Sequence, residues 1–239
     1  MTVGDPDDPA DPPDPRLGVF DTLLVRDNRP VDLEAHLDRL TRSVHELYAV
    51  SVDVAALSTR VLAEADGVGT ARVRTTYEPA AGRWRIDVAR IDVPGLDPRA
   101  VTLRRSAEGL GRHKWTDRRM VADPGDADDV LLVDEQDRLL ECGRANLFVV
   151  IADECRTPPL DGRILPGTVR ARALARLRSD RRPVVERVVS VAELTSAAEV
   201  FTTSSIRGVQ PVVRCAEVGS WPIGPVTTWL RNHLDDPAE

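Results

Sequence analysis

The second half of this chain is a succession of short β-favouring runs, and that pattern restricts the folds open to it more than any other feature. Residues 130–133, 138–142, 146–151, 184–189, 200–203 and 209–213 are rich in Val, Leu, Phe and Thr, and turn-forming residues separate them. Asp134-Glu135-Gln136-Asp137 reads as the connection of a hairpin, and Thr157-Pro158-Pro159-Leu160-Asp161-Gly162 as a loop. Two helical patterns interrupt the strands. Residues 168–178 follow Leu165-Pro166-Gly167 and place Val169, Ala173 and Leu177 at helical spacing, and residues 227–234 form a short final helix.

The first half mixes periods. Residues 18–26 (GVFDTLLVR) read as a strand and Asp27-Asn28-Arg29-Pro30 as a turn. Asp32 then caps a helix to about Tyr48, with Leu33, Leu37, Leu40, Val44 and Leu47 on one face and His36, Arg39 and Ser43 on a neighbouring one. A second helix is expected over residues 53–65. Residues 72–77 and 83–91 form a hairpin with Trp84, Ile86 and Val88 on one face. Val93-Pro94-Gly95-Leu96-Asp97-Pro98 reads as a linker. The class is therefore α+β, with a small α/β domain over residues 17–95 and a larger strand-rich domain over residues 96–239 that carries Lys114. Residues 1–16 are expected to be a disordered acidic tail, since residues 1–15 hold five Asp, five Pro and no basic residue.

Composition narrows the function. A net charge of −7 argues against a nucleic-acid binder. No run is long enough for a membrane helix, and the opening residues lack the basic and apolar regions of a signal peptide. The three cysteines have no CxxC spacing and suit free thiols in a reducing cytoplasm, and the four histidines complete no metal motif.

Lys114 is the one lysine among 32 basic residues. Arginine cannot lose its proton in a protein, whereas a lysine amine can, and can then attack a carbonyl. An ordinary solvated lysine is the competing reading. An amine nucleophile suggests Schiff-base chemistry, for which the commonest cofactor is pyridoxal 5′-phosphate. Such a site needs an anion cradle and an acid for the pyridine nitrogen. The helix start at Leu165–Arg170, the cluster Thr202-Thr203-Ser204-Ser205 and Arg39 are candidates for the cradle. Glu141, ending an apolar run, is the candidate acid. Taken singly, each is matched by a bland alternative: a strand-to-helix turn, turn chemistry, a surface arginine, an edge carboxylate.

In order along the chain, GVFDTLLV, HLDRL, HKWTDR, ECGRANLFVV, TPPLDGRILPGTVR and FTTSSIRGVQPV resemble the class IV aminotransferase family, the fold-type IV pyridoxal-phosphate enzymes. The likeness covers residues 18–213. Within the family the HK-x-T-D-R form, the TPPL-x-G-x-LPG-x-x-R run and the S-x-RG stretch are most similar to aminodeoxychorismate lyases. The resemblance implies a small α/β domain and a larger pseudo-barrel domain with pyridoxal phosphate between them, as in D-amino acid aminotransferase-like folds, in a homodimer. It implies that Lys114 carries the cofactor and moves the proton, and that Glu141 pairs with the pyridine nitrogen. Arg39, Gly167, Thr168, Val169 and Ser205 would hold the phosphate, and Arg207, beside that loop, is the candidate for a substrate carboxylate. The implied reaction is elimination of pyruvate from 4-amino-4-deoxychorismate to give 4-aminobenzoate, a folate precursor, functionally coupled to an aminodeoxychorismate synthase. The alternative is transamination of branched-chain or D-amino acids, and a third reading is a non-catalytic cofactor-binding homologue. Two features depart from the family pattern. The Asp/Pro segment stands where members carry a strand and a Gly-rich stretch, and Trp115 stands beside the lysine where a small residue is usual.

Overall fold

The computed structural model describes residues 12–92 and 95–234. Most of the expected tail, residues 1–11, lies outside the described residues. Its end does not behave as a tail: the Asp14 carboxylate accepts from Arg16 N at 2.9 Å and caps a single 3₁₀ turn over Pro15–Leu17. The Tyr48 hydroxyl donates to Pro15 O at 2.7 Å. The expectation of disorder to residue 16 is corrected to that extent, because the Asp/Pro composition that disfavours a core also suits a capped turn.

The chain divides into two compact units. The first holds Met1–Pro94 together with His113–Met120, and the second holds Gly95–Arg112 and Val121–Glu239. Lys114 therefore belongs to the first unit, not to the larger part as the sequence division had it.

In the first unit β1 (Val19–Arg26) and β2 (Arg29–Pro30) precede α1 (Leu33–Tyr48) and α2 (Val54–Ala65), followed by β3 (Ala71–Glu78) and β4 (Arg83–Arg90). The sheet is antiparallel in the order β2-β1-β3-β4. Alternation sends Leu23, Val25, Ala71 and Val73 to one face, where Leu37 of α1 and Leu57 and Val61 of α2 cover them. Trp84, Ile86 and Val88 join that face as expected. Asp53 caps α2, its carboxylate accepting from Ala56 N at 2.9 Å. Asp32 does not cap α1 with its side chain. It turns the chain into the helix in the left-handed conformation, with φ 54°, which Asp tolerates better than most residues.

The second unit runs β5 (Arg99–Arg105), β6 (Asp129–Val133), β7 (Leu139–Cys142), β8 (Asn146–Ile151), β9 (Glu154–Thr157), α3 (Thr168–Ser179), β10 (Val184–Glu186), α4 (Val191–Leu194), β11 (Glu199–Ser204), β12 (Gly208–Cys215), β13 (Gly219–Ser220) and α5 (Pro225–His233). They form a nine-stranded sheet in the order β10-β9-β8-β11-β12-β5-β6-β7, with β13 on β12. Both sheet faces are buried here, so β8 is apolar at every position after Asn146, while β11 is buried from Glu199 to Thr203 although only Val200 and Phe201 are apolar. Leu147, Val149 and Val200 pack with Leu131, Val212 and Leu194 on one face. Phe148, Val150 and Phe201 pack with Val169, Ala173 and Leu177 of α3 and Leu230 of α5 on the other. The expected α+β class holds, while the strand expected over residues 184–189 ends at Glu186. Among the described residues no helix is long and apolar enough to cross a membrane.

Candidate active site

Lys114 is held by backbone pairing. Phe20 N donates to Lys114 O at 2.9 Å, Thr116 N donates to Gly18 O at 3.0 Å, and Val19 faces Trp115 across an antiparallel bridge. Successive residues then point to opposite faces. Trp115 goes with Val19 into the cluster formed with Leu40, Val44 and Tyr77. His113, on the same side, meets Ser43 Oγ at 3.0 Å through Nδ1 and the Trp115 ring edge-on. Lys114 takes the other face, with Nζ 5.3 Å from the centre of the Phe20 ring. The large residue beside the lysine is thus packed into the first unit's core, away from the amine. The guanidinium of Arg74 stacks on the same Phe20 ring at 3.7 Å. Burial lowers the pKa of Arg74, and the neighbouring charges of Arg85 and Arg72 add to the effect.

Arg39 lies on α1, where it shares a face with His36 as the helical period requires. Both reach a buried carboxylate that the sequence reading passed over. Arg39 Nε donates to Asp21 Oδ2 at 2.8 Å, Arg39 Nη2 donates to Asp21 Oδ1 at 2.8 Å, and His36 Nδ1 lies 2.7 Å from Asp21 Oδ1. Burial alone would raise the Asp21 pKa, but Arg39 and His36 outweigh it and hold the carboxyl well below the usual range. Asp21 engages one edge of the planar guanidinium and so fixes its orientation. The signal for it was a lone acid inside the otherwise apolar run GVFDTLLV.

The second unit brings several predicted residues together. Glu141 on β7 is buried, and its Oε1 accepts from Leu165 N at 3.1 Å while Oε2 accepts from Asn146 Nδ2 at 3.1 Å. The same Asn146 amide donates to Leu165 O at 2.8 Å. Asn146 thus ties the carboxylate to the Leu165–Gly167 approach to α3. Gly167 is the N-cap of α3 and contributes no side-chain cap, so the N–H groups of Thr168 and Val169 begin the helix without intrahelical acceptors. A Cβ on Gly167 would meet Asn146 Oδ1 at 1.9 Å. Only glycine lets the backbone come this close to Asn146.

Asn146 pairs in register with Thr203 on β11, and the Thr203 hydroxyl is buried with no protein partner. Ser205 lies two residues further, in the turn that joins β11 to β12 and closes at the Ser204–Gly208 pair. Arg207 in that turn is exposed, with Nη1 3.8 Å from Asp97 Oδ2. Lys114 and Arg39 therefore stand in the first unit, and Glu141, Gly167, Thr168, Val169, Ser205 and Arg207 in the second. Asp21, Asn146 and Arg74 are the additions that the sequence reading did not make.

The amino-transferase class IV family profile matches residues 18–215 of this chain. Among curated relatives, a probable branched-chain-amino-acid aminotransferase of Thermotoga maritima is 37% identical over 112 residues, covering 46% of this chain and 41% of the relative. Branched-chain-amino-acid transaminase 1 of Bacillus subtilis is 40% identical over 123 residues, covering 46% and 35%. Each of these matches spans less than half the length of the relative. Among solved structures, the fold IV-transaminase CpuTA1 of Curtobacterium pusillum superposes with a TM-score of 0.78 at 25% identity, covering 92% of this chain and 87% of that one. The 4-amino-4-deoxychorismate lyase of Pseudomonas aeruginosa superposes at 0.75 with 29% identity, covering 93% and 92%.

Proposed function

The chain belongs to the class IV aminotransferase family of pyridoxal-phosphate enzymes, and from that premise we propose that it moves amino groups between small amino acids and 2-oxo acids in the cytosol, as a homodimer. The observation that carries the reading is the Glu141 carboxylate, buried and fixed by Asn146 and Leu165 beside the start of α3. The residues fit the cofactor. The buried Thr203 hydroxyl has no protein partner, the Thr168 and Val169 amides suit an anion, and the Glu141 carboxylate is of the chemistry that pairs with a ring N–H.

In this reading Lys114 carries the cofactor, and Arg39, Gly167, Thr168, Val169 and Ser205 hold its phosphate. Glu141 accepts the N–H of the pyridine nitrogen, and Arg207 receives the substrate carboxylate. Bound pyridoxal phosphate supplies an electron sink for charge developing on the carbon that bears the amine. Lys114 Nζ would remove the proton at that carbon and deliver it to the cofactor carbon that takes over the amine, so that the amino group is transferred and the substrate carbon is not merely re-protonated in place. Asp21 and His36 keep Arg39 aimed, and Asn146 keeps Glu141 from turning away.

Branched-chain amino acids are the first donors to test, because the Thermotoga and Bacillus relatives bear that name. The lyase reading stays as the second, because the Pseudomonas lyase matches this chain nearly end to end at 29% identity. Purified protein given pyridoxal phosphate is expected to turn yellow, and borohydride to fix the cofactor on Lys114. Leucine with 2-oxoglutarate is expected to give glutamate. A protein that binds the cofactor, yields no glutamate from any branched-chain or D-amino acid, and releases 4-aminobenzoate from 4-amino-4-deoxychorismate would reverse the order of the two readings. A colourless protein that takes up no cofactor would end both.

A further inference from the structure

Gln210 lies on β12 and is almost fully buried, at 1% exposure. Its amide makes three bonds, all to backbone. Oε1 accepts from Asp97 N at 2.9 Å, and Nε2 donates to Gly95 O at 2.8 Å and to Arg207 O at 2.9 Å. Three backbone groups, one N–H and two carbonyls, converge on it. A neutral amide matches that set with one acceptor and two donor hydrogens. Glutamate of the same shape could serve the N–H but neither carbonyl, and leucine could serve none of the three.

The clasp holds two charged residues at once. It fixes the backbone of Arg207 in the turn between β11 and β12, and the backbone of Asp97 in the segment that leads to β5. The result is an Arg207–Asp97 pair in which Nη1 stands 3.8 Å from Oδ2, near enough to attract but beyond hydrogen-bond length. Both side chains are exposed, Arg207 at 43% and Asp97 at 56%, so the attraction is weak. A guanidinium held in this way keeps its planar fork open to a carboxylate that can bond to it bidentately.

We propose that Gln210 is a positioning residue for Arg207, and that the clasp sets how well the turn takes a carboxylate by holding Asp97 near Arg207 without letting it bond. The proposal rests on the assignment of Arg207 to the substrate carboxylate. It predicts opposite effects from the two partners. Loss of the Gln210 amide frees the turn and weakens carboxylate binding. Loss of the Asp97 charge removes a competitor and strengthens it.

The test compares 4-methylpentanoate with its neutral counterpart 4-methylpentanamide on the cofactor-loaded protein, with dissociation constants measured by calorimetry. Gln210→Leu is expected to weaken the carboxylate about tenfold and leave the amide unchanged, and Asp97→Asn to tighten the carboxylate about threefold. Gln210→Glu keeps the side-chain shape and should follow Gln210→Leu, which covers the case where the leucine variant fails to fold. Arg207→Ala should erase the preference for carboxylate over amide. A Gln210 variant that weakens both ligands alike, or neither, overturns the proposal and leaves Gln210 a purely structural clasp. An unchanged preference in Arg207→Ala overturns the assignment beneath it, and failure of the protein to bind pyridoxal phosphate, read separately from its absorbance, overturns the enzyme reading itself.

Discussion

Gly167 has no room for a methyl group, since a Cβ would stand 1.9 Å from Asn146 Oδ1. The Asn146 amide is already committed to Glu141 and to Leu165 O, so it cannot step aside without releasing the carboxylate. Gly167→Ala is therefore expected to destabilise the protein by about 1–3 kcal/mol. It should also loosen the cofactor, read as a lower melting temperature together with a weaker pyridoxal-phosphate dissociation constant. Asn146→Ala should weaken cofactor binding without the clash, and if Gly167→Ala bound cofactor as tightly as the parent, the link from Gly167 to Glu141 would be wrong. Lys114 carries the second prediction at this scale. Lys114→Arg keeps the charge and the length but cannot form a bond to the cofactor. Borohydride should then fix no label and amino transfer should vanish, while phosphate-dependent binding of the cofactor persists. Lys114 stood out in the sequence because it was solitary, and Glu141 because it closed an apolar run. Asn146 did not, because a polar residue opening a strand looks like the strand's edge, and its two partners come from other segments. Asp21 was legible in principle: an acid at an inward position of a strand must have a buried partner.

At the scale of the element, α5 is anchored by a residue far from it in sequence. Glu199 on β11 is buried, and its carboxylate accepts from Val226 N at 2.9 Å, from Thr227 N at 2.8 Å and from Thr227 Oγ1 at 2.8 Å. The N-cap of α5 is Gly224, which supplies no side chain of its own. Its missing Cβ is the space that Glu199 fills, since a Cβ there would come within 2.0 Å of the Glu199 carboxyl carbon. A negative charge at a helix N-terminus is favoured by the helix dipole as well as by the bonds. Glu199→Gln can accept with one oxygen only, and turns an N–H toward donors. It should cost about 1–3 kcal/mol, seen as a lower denaturation midpoint in urea at unchanged slope, and an unshifted midpoint would show that α5 needs no cap from β11. The helices and most strands were legible because their periods were clean. β5 was not: Arg99–Arg105 has arginine at both ends and only Val101 fully buried. Its strand character comes from parallel pairing with β6 and β12, which a local pattern does not contain. β9 was hidden for a similar reason, as four residues with only Cys155 and Thr157 buried.

For the whole molecule, the α+β class was legible and the grouping of Lys114 was not. His113–Met120 joins the first unit through bonds to Gly18 and Phe20, partners nearly a hundred residues earlier that no periodicity announces. That arrangement also concentrates buried carboxylates. Asp21 is held well below the usual carboxylate range by Arg39 and His36 against the cost of burial. The Asp117 carboxyl is lowered to about 2, mainly by the bond from Arg119, with Asp14 N also donating. In the second unit Asp134 is lowered to about 2, because the bonds from Arg138, Arg163 and Gln136 outweigh burial. All three have folded values below the ordinary 3.8. The unfolded chain therefore takes up their protons first as the solution is acidified. Their stabilisation is full above about pH 4 and is lost as pH falls toward 2. Melting temperature is expected to be flat between about pH 5 and 7 as far as these groups go, and to fall steeply below about pH 4. Asp21→Asn separates the share of Asp21. It leaves Arg39 buried without its carboxylate, which should cost about 3 kcal/mol at neutral pH. It also removes one proton-linked group, so the acid limb should be shallower than in the parent, though not flat, because Asp117 and Asp134 remain. Thermal melts of both proteins from pH 7 to pH 2 decide it. A variant that is destabilised at pH 7 yet retains the full acid slope would mean that Asp21 is not held as a charged carboxylate in the folded state.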